Sequence, residues 1–235
     1  MKKGFLLGLL AAILAVVLVR SCCLSLVAIP GAGAGPELHQ GDRLLVNRLA
    51  YGLRLPLSRL WGYHRWGTST PRRNDWAVFN SPTDTPTLRP DTTRLCVGRC
   101  IALPGDTVWL GAHGKVSTRR NPASGQIWPL VVPAAGTYVR ITPWNAQLYA
   151  RTINRLNPGR AAVKGDSLYI QGRAVTFFRF QTNCYWMASG STENLHDSRL
   201  MGFIPYPCLQ GRATRVLYSL DGWRPRWKRT LHPLP

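Results

Sequence analysis

The sequence predicts an all-β domain behind a single N-terminal transmembrane helix, with one short helix in an insert. Three observations carry that expectation. An uncharged apolar run, Phe5 to Val19, follows Lys2 and Lys3. Short apolar runs then recur along the chain, punctuated by Gly, Pro, Asp and Asn, as strands separated by turns would be. Only Pro143 to Asn154 has helical spacing, with Thr142 placed as N-cap, Pro143 at the first helical position, and Leu148, Tyr149 and Ile153 able to share a face.

The apolar segment comes first. Fifteen residues of helix reach roughly 22 Å, short of a hydrocarbon core of ~30 Å. Extended through Arg20 to about Val27 the segment spans, with the Arg20 guanidinium snorkelling to the headgroups. Lys2 and Lys3 favour a cytoplasmic N-terminus. Residues 1–28 therefore read as an anchor in the inner membrane, single-pass, with an extracytoplasmic C-terminal domain over 29–235. Two alternatives stay open: a cleaved signal peptide ending near Ser21-Cys22-Cys23, and a lipoprotein site at Cys22, against which the charge of Arg20 weighs.

The strand candidates follow in order: Leu44–Val46, Trp76–Phe79, Val108–Leu110, Leu130–Val132, Leu168–Ile170, Val175–Phe178 and Val216–Tyr218. The stretch Leu95 to Val108, LCVGRCIALPGDTV, reads as a buried strand entering a tight turn, yet its centre is Gly98. Glycine inside a strand is penalised and marks a bulge or a close backbone approach, so Gly98 needs a reason. An insert occupies about 111–182, and the segments 82–93 and 117–126 read as polar loops.

Thirty Lys and Arg against ten Asp and Glu give a net charge of +20, which favours a polyanionic partner. An extracytoplasmic domain makes that partner membrane lipid, with no nucleic acid. Trp interleaves with cations at Arg54–Trp66 and Trp223–Arg229, a composition suited to a bilayer interface; the plainer reading is an arginine-rich solvated surface. Cys96 and Cys100 lie roughly 13 Å apart on an extended strand, too far to bridge; Cys100, Cys184 and Cys208 could pair in an oxidising compartment, with no connectivity legible, and buried thiols are the default reading. No metal-ligand spacing occurs, and no cofactor is expected.

Four stretches then carry the functional reading: Ile29-Pro30-Gly31-Ala32-Gly33-Ala34 through Gly41-Asp42 and on to Gly52; Arg73 to Phe79; the stretch around Gly98; and Gly190 to Arg199, followed by Leu200–Pro205 and Gly211–Thr214. In this order, directly behind an apolar segment, they resemble the boxes of the bacterial type I signal peptidases from the anchor to about Asp221. Ile127 to Tyr149 is similar to an insert of the Bacteroidetes lineage of that family.

The resemblance implies a serine nucleophile and a lysine general base. A serine hydroxyl needs a base, and an ammonium serves only when desolvation keeps it neutral. The serine position falls on Gly33 and the lysine position on Gly98. Arg99 cannot substitute, because a guanidinium stays protonated. The serine that supports the lysine falls on Leu195, while Asp197-Ser198-Arg199 survives, with Asp197 and Arg199 expected to form a structural ion pair. The five lysines, Lys2, Lys3, Lys115, Lys164 and Lys228, all lie outside the boxes, and His39 and His196 have no serine at the nucleophile position to activate. The expected catalytic residues are thus none. Ile29, Pro30, Ala32, Ala34 and Ile101 are the candidates for lining a groove that holds an extended apolar peptide by strand addition. The reading is a catalytically silent homologue with signal peptides or an active paralogue as partners. The alternatives are a working signal peptidase and an envelope protein that keeps only the fold.

Overall fold

The computed structural model describes residues 2–29, 37–54, 64–67, 69–81, 95–111, 115–120, 127–157, 159–189 and 197–234. Helix α1 (Lys2–Cys22) leads into strand β1 (Leu24–Ala28). There follow β2 (Asp42–Asn47), β3 (Leu53–Arg54), β4 (Arg65–Trp66), β5 (Trp76–Asn80), β6 (Leu95–Ala102), β7 (Thr107–Gly111), β8 (Val116–Ser117), β9 (Ile127–Val131) and β10 (Tyr138–Arg140). Helix α2 (Ala146–Leu156) precedes β11 (Ala161–Lys164), β12 (Ser167–Ile170), β13 (Arg173–Val175), β14 (Phe177–Arg179) and β15 (Cys184–Ala188). The short helix α3 (Ser198–Met201) leads to β16 (Ile204–Pro205), β17 (Leu209–Asp221), β18 (Arg224–Pro225) and β19 (His232–Pro233).

The main sheet runs β1-β2-β17-β5-β6-β15-β16, with β18 and β19 paired to β17, and its pairings are antiparallel. Both faces of its centre are covered, because alternate residues of one strand enter different cores. Trp76 and Val78 of β5 pack with Leu44, Val46, Val97 and Val216, whereas Ala77 and Phe79 pack with Cys96, Cys100, Tyr185 and Met187. A third core belongs largely to the insert, where Tyr149 of α2 stacks on Phe203 and donates its hydroxyl to Val131 O at 2.7 Å.

The mostly β architecture agrees with the sequence reading, but the transmembrane helix does not form as expected. The apolar run was expected to continue as helix to about Val27. Instead α1 stops at Cys22, and Leu24–Ala28 pair in register with Asn47–Arg43. No helix among the described residues is long and apolar enough to cross a membrane. The physical reason is that a continuous apolar run reads the same as helix or strand; here Val27 and Ile29 are claimed by the core that contains Leu44 and Val46.

The insert helix also starts later than Pro143. The Asn145 side chain accepts from the Thr142 N–H at 2.8 Å, and the Asn145 and Ala146 N–H groups donate to Thr142 O, which closes a turn ahead of the first helical residue. Thr142 therefore does not cap through its side chain. The expected strand from Val175 to Phe178 is split at Thr176 into β13 and β14, which join different sheets.

Near the end of the chain, Arg229 reaches the fully buried carboxylate of Asp42, with Nε 3.1 Å from Oδ1 and a terminal nitrogen 2.6 Å from Oδ2. Burial pushes the Asp42 pKa up, but hydrogen bonds from Arg229 and the His39 N–H, with the Arg229 charge, outweigh it and hold the group below its ordinary value. A depressed carboxyl stabilises the fold fully above its unfolded value of about 4, and that contribution disappears as pH falls through the folded value. Replacing Arg229 with Met leaves the buried carboxylate unpaired. It should cost about 3 kcal/mol at pH 7 and move the acid-unfolding midpoint to higher pH, as read by urea titration across a pH series.

Candidate active-site region

Gly98 sits in β6 between β5 and β15, opposite Ala77, and is buried with Cys96, Cys100 and Ala102 on one face of the strand. Its backbone needs no left-handed conformation. The requirement is space: a Cβ at Gly98 would lie 3.2 Å from Met187 Cβ, 3.3 Å from Phe79 Cε1 and 3.4 Å from Ala188 O. A side chain at this position would therefore press on two apolar side chains and one carbonyl oxygen of the flanking strands. The register of β15 against β6 shifts between Trp186 and Met187, next to the same contact.

Gly33, which the resemblance places at the serine position, lies with Pro30, Ala32 and Ala34 outside the described residues. The chain on either side of that stretch is firmly placed. Ile29 is buried beside Val97, and its N–H donates to Asp42 O at 3.2 Å. On the other side Glu37 takes a hydrogen bond from Trp76 Nε1 at 3.2 Å and an ion pair from Arg99 at 3.3 Å, with the Arg99 guanidinium 5.7 Å from the Trp76 ring centroid. The chain therefore returns to β6 beside Gly98. Glu37 and Trp76 escaped the sequence reading; the only hint was a single acid between two glycine-rich or basic stretches.

Ile29 and Ile101 do not meet in one cluster. Ile29 belongs to the core around Leu44, whereas Ile101 packs against the insert core around Tyr149. Ile101 also stands on the opposite face of β6 from Gly98, three residues away.

Asp197 and Arg199 form an ion pair at 2.8 Å, with the carboxylate fully buried. Asp197 also caps α3 by accepting from the Arg199 N–H at 2.9 Å and accepts from the Ser189 N–H at 2.8 Å, while Arg199 reaches Ser189 Oγ at 3.1 Å. Between them, Ser198 Oγ accepts from the Met187 N–H at 2.8 Å. This clip fastens α3 to β15 at the residue that fills the space beside Gly98.

The chain as a whole matches a known family. The signal peptidase model, peptidase S26, matches residues 2–218. The chain belongs to the peptidase S26 signal peptidases. Among its relatives, the signal peptidase I of Pseudomonas fluorescens is 35% identical over 214 residues, covering 87% of this chain and 68% of that one. That of Pseudomonas aeruginosa is 27% identical over 215 residues, with 87% and 68% covered. That of Aquifex aeolicus is 26% identical over 229 residues, with 88% and 80% covered. For this S26 chain, the lysines stand on other elements: Lys2 and Lys3 at the start of α1, Lys115 beside β8, Lys164 at the end of β11, and Lys228 in the C-terminal turn. His39 is exposed in the turn before β2, and His196 is outside the described residues. Among the described residues no three His, Cys, Asp or Glu side chains group as a metal would require. Cys100, two residues from Gly98 on the same face, is pushed up to about 12, first by burial and then by the charge of Asp75, so it stays a neutral packing group.

Two substitutions test this packing. Gly98→Ala gains about 0.4–1 kcal/mol from the unfolded chain but incurs an overpacking cost of about 1–3 kcal/mol, so the urea midpoint should fall. Ser198→Ala strands the buried Met187 N–H and should cost about 1–3 kcal/mol. Midpoints equal to or above that of the parent protein would show that neither contact constrains the strand.

Proposed function

We propose that this S26 chain is a catalytically silent signal-peptidase homologue that holds peptides or lipid without cutting. The observation that carries the proposal is the packing at Gly98: with a glycine at the lysine position and Phe79 and Met187 around it, β6 offers no base. The sequence adds Gly33 at the serine position. A serine and a lysine act as one unit, so the loss of either is on the order of a millionfold in rate, and restoring one alone recovers little. The retained ion pair of Asp197 and Arg199 then serves the fold. The insert between about 111 and 182 fits the reading of a Bacteroidetes-like branch, in which the chain keeps the framework beside an active paralogue. The competing reading is a working signal peptidase I, the activity that the names of its relatives carry.

Anchoring in the inner membrane by α1, with the β domain outside, belongs to the same proposal. Its support is that every side chain from Gly4 to Ile13 is exposed, including Phe5, Leu6, Leu7 and Leu10. A helix apolar on all sides is buried in something other than water. The exposed Trp223 and Trp227, set among Arg224, Arg226 and Lys228, suit the headgroup layer of anionic lipid.

Two measurements decide these points. The full chain, purified in detergent and freed of host peptidase, should leave a signal-peptide substrate uncut, as should Gly33→Ser and Gly98→Lys made singly. Turnover by the unmodified chain, or rescue of a strain depleted of its signal peptidase, overturns the silent reading. After alkaline carbonate extraction the chain should stay in the membrane pellet. Recovery in the supernatant, or a mature N-terminus near Leu24, overturns the anchor.

A further inference from the structure

A hollow of about 170 Å³ lies between the C-terminal end of α2 and the bend joining β14 to β15, far in sequence from the family's boxes. Leu156 and Phe178 provide apolar lining, and Arg160, Arg179, Gln181 and Thr182 provide polar lining, with no acidic residue among the lining groups. The Arg160 guanidinium carbon stands 5.9 Å from the Phe178 ring centroid, and its Nε is buried without an acceptor. Arg179 donates through Nε to Gly136 O at 3.1 Å, which orients its fork and leaves the terminal nitrogens over. The backbone N–H groups of Gln181 and Thr182 have no backbone acceptor among the described residues.

Neither arginine has a carboxylate partner among the described residues, whereas Arg73, Arg99, Arg199, Arg212, Arg226 and Arg229 each do. Buried donors in native proteins are almost always satisfied, so the unpartnered Arg160 Nε marks a wall of this hollow that is short of acceptors. The polar side chains of the lining, Asn157, Arg160, Arg179, Gln181 and Thr182, can all donate. A carboxylate ligand offers two oxygens; two guanidinium forks, an amide, a hydroxyl and two backbone N–H groups suit the three or more oxygens of a phosphoryl group, which arginine also grips bidentately. We propose that this hollow binds a phosphoryl oxyanion, supplied either as free phosphate or as the headgroup of a phospholipid whose apolar part lies against Leu156 and Phe178. The site is independent of whether the chain cleaves peptides.

The test uses the full chain in an uncharged, phosphate-free detergent. Thermal unfolding is followed at constant ionic strength as inorganic phosphate, acetate or phosphatidic acid in mixed micelles is added, since a ligand of the folded state raises Tm. The expected result is a rise in Tm with phosphate or with phosphatidic acid, little or none with acetate, and its loss in Arg160→Gln and in the more exposed Arg179→Gln. A response to phosphate identifies the free anion as a source, and a response to phosphatidic acid alone identifies the lipid. No rise with either, an equal rise with acetate, or a rise that both variants retain overturns the site.

Discussion

Everything in the main sheet depends on one strand serving two neighbours. β17 pairs with β5 through Leu209–Arg212 and with β2 through Arg212–Ser219, so the two halves of the domain are joined along a single segment. The transfer happens where Gly211 passes the backbone of β2. A Cβ there would lie 2.5 Å from Asn47 O and 2.9 Å from Arg48 Cα, closer than any side chain tolerates. Only glycine lets the strand approach near enough to hold both partners. From that contact follow the register of β5, the placement of β6 beside it, and the position of Gly98.

Electrostatics in this chain is governed by a shortage of acids rather than by its excess of cations. With thirty basic and ten acidic residues, a carboxylate is the scarce partner. Two of the described carboxylates, Asp42 and Asp197, are fully buried, and each is met by an arginine and by backbone N–H groups. Each fastens a peripheral segment to the sheet: Asp42 holds the C-terminal turn, and Asp197 holds α3 against β15. Surface ion pairs such as that of Arg73 with Asp106 contribute far less, because water and salt screen them.

Within the candidate active-site region, the two glycines that the resemblance singles out differ in what the structure describes, which covers Gly98 but not Gly33. Gly98 lies in a strand whose neighbours have closed over it, so the absence of a side chain there is matched by packing from Phe79 and Met187. The surrounding chain is pinned on one side by Ile29 and on the other by Glu37, whose contacts with Trp76 and Arg99 tie it to the same sheet.

The sequence by itself determined what depends on local chemistry: strand-forming apolar runs between turn residues, the insert helix, and the pairing potential of Asp197 with Arg199 two residues away. The order of the boxes was equally legible, since order along a chain survives without coordinates. Tertiary structure alone decided the rest. Leu24–Ala28 could have continued α1, and only pairing with β2 made them a strand. Asp42 and Arg229 are 187 residues apart, and no local pattern couples them. Whether Gly98 left a vacancy or a filled core was likewise invisible, because the atoms that answer it come from β5 and β15, strands distant in sequence that the fold brings to either side.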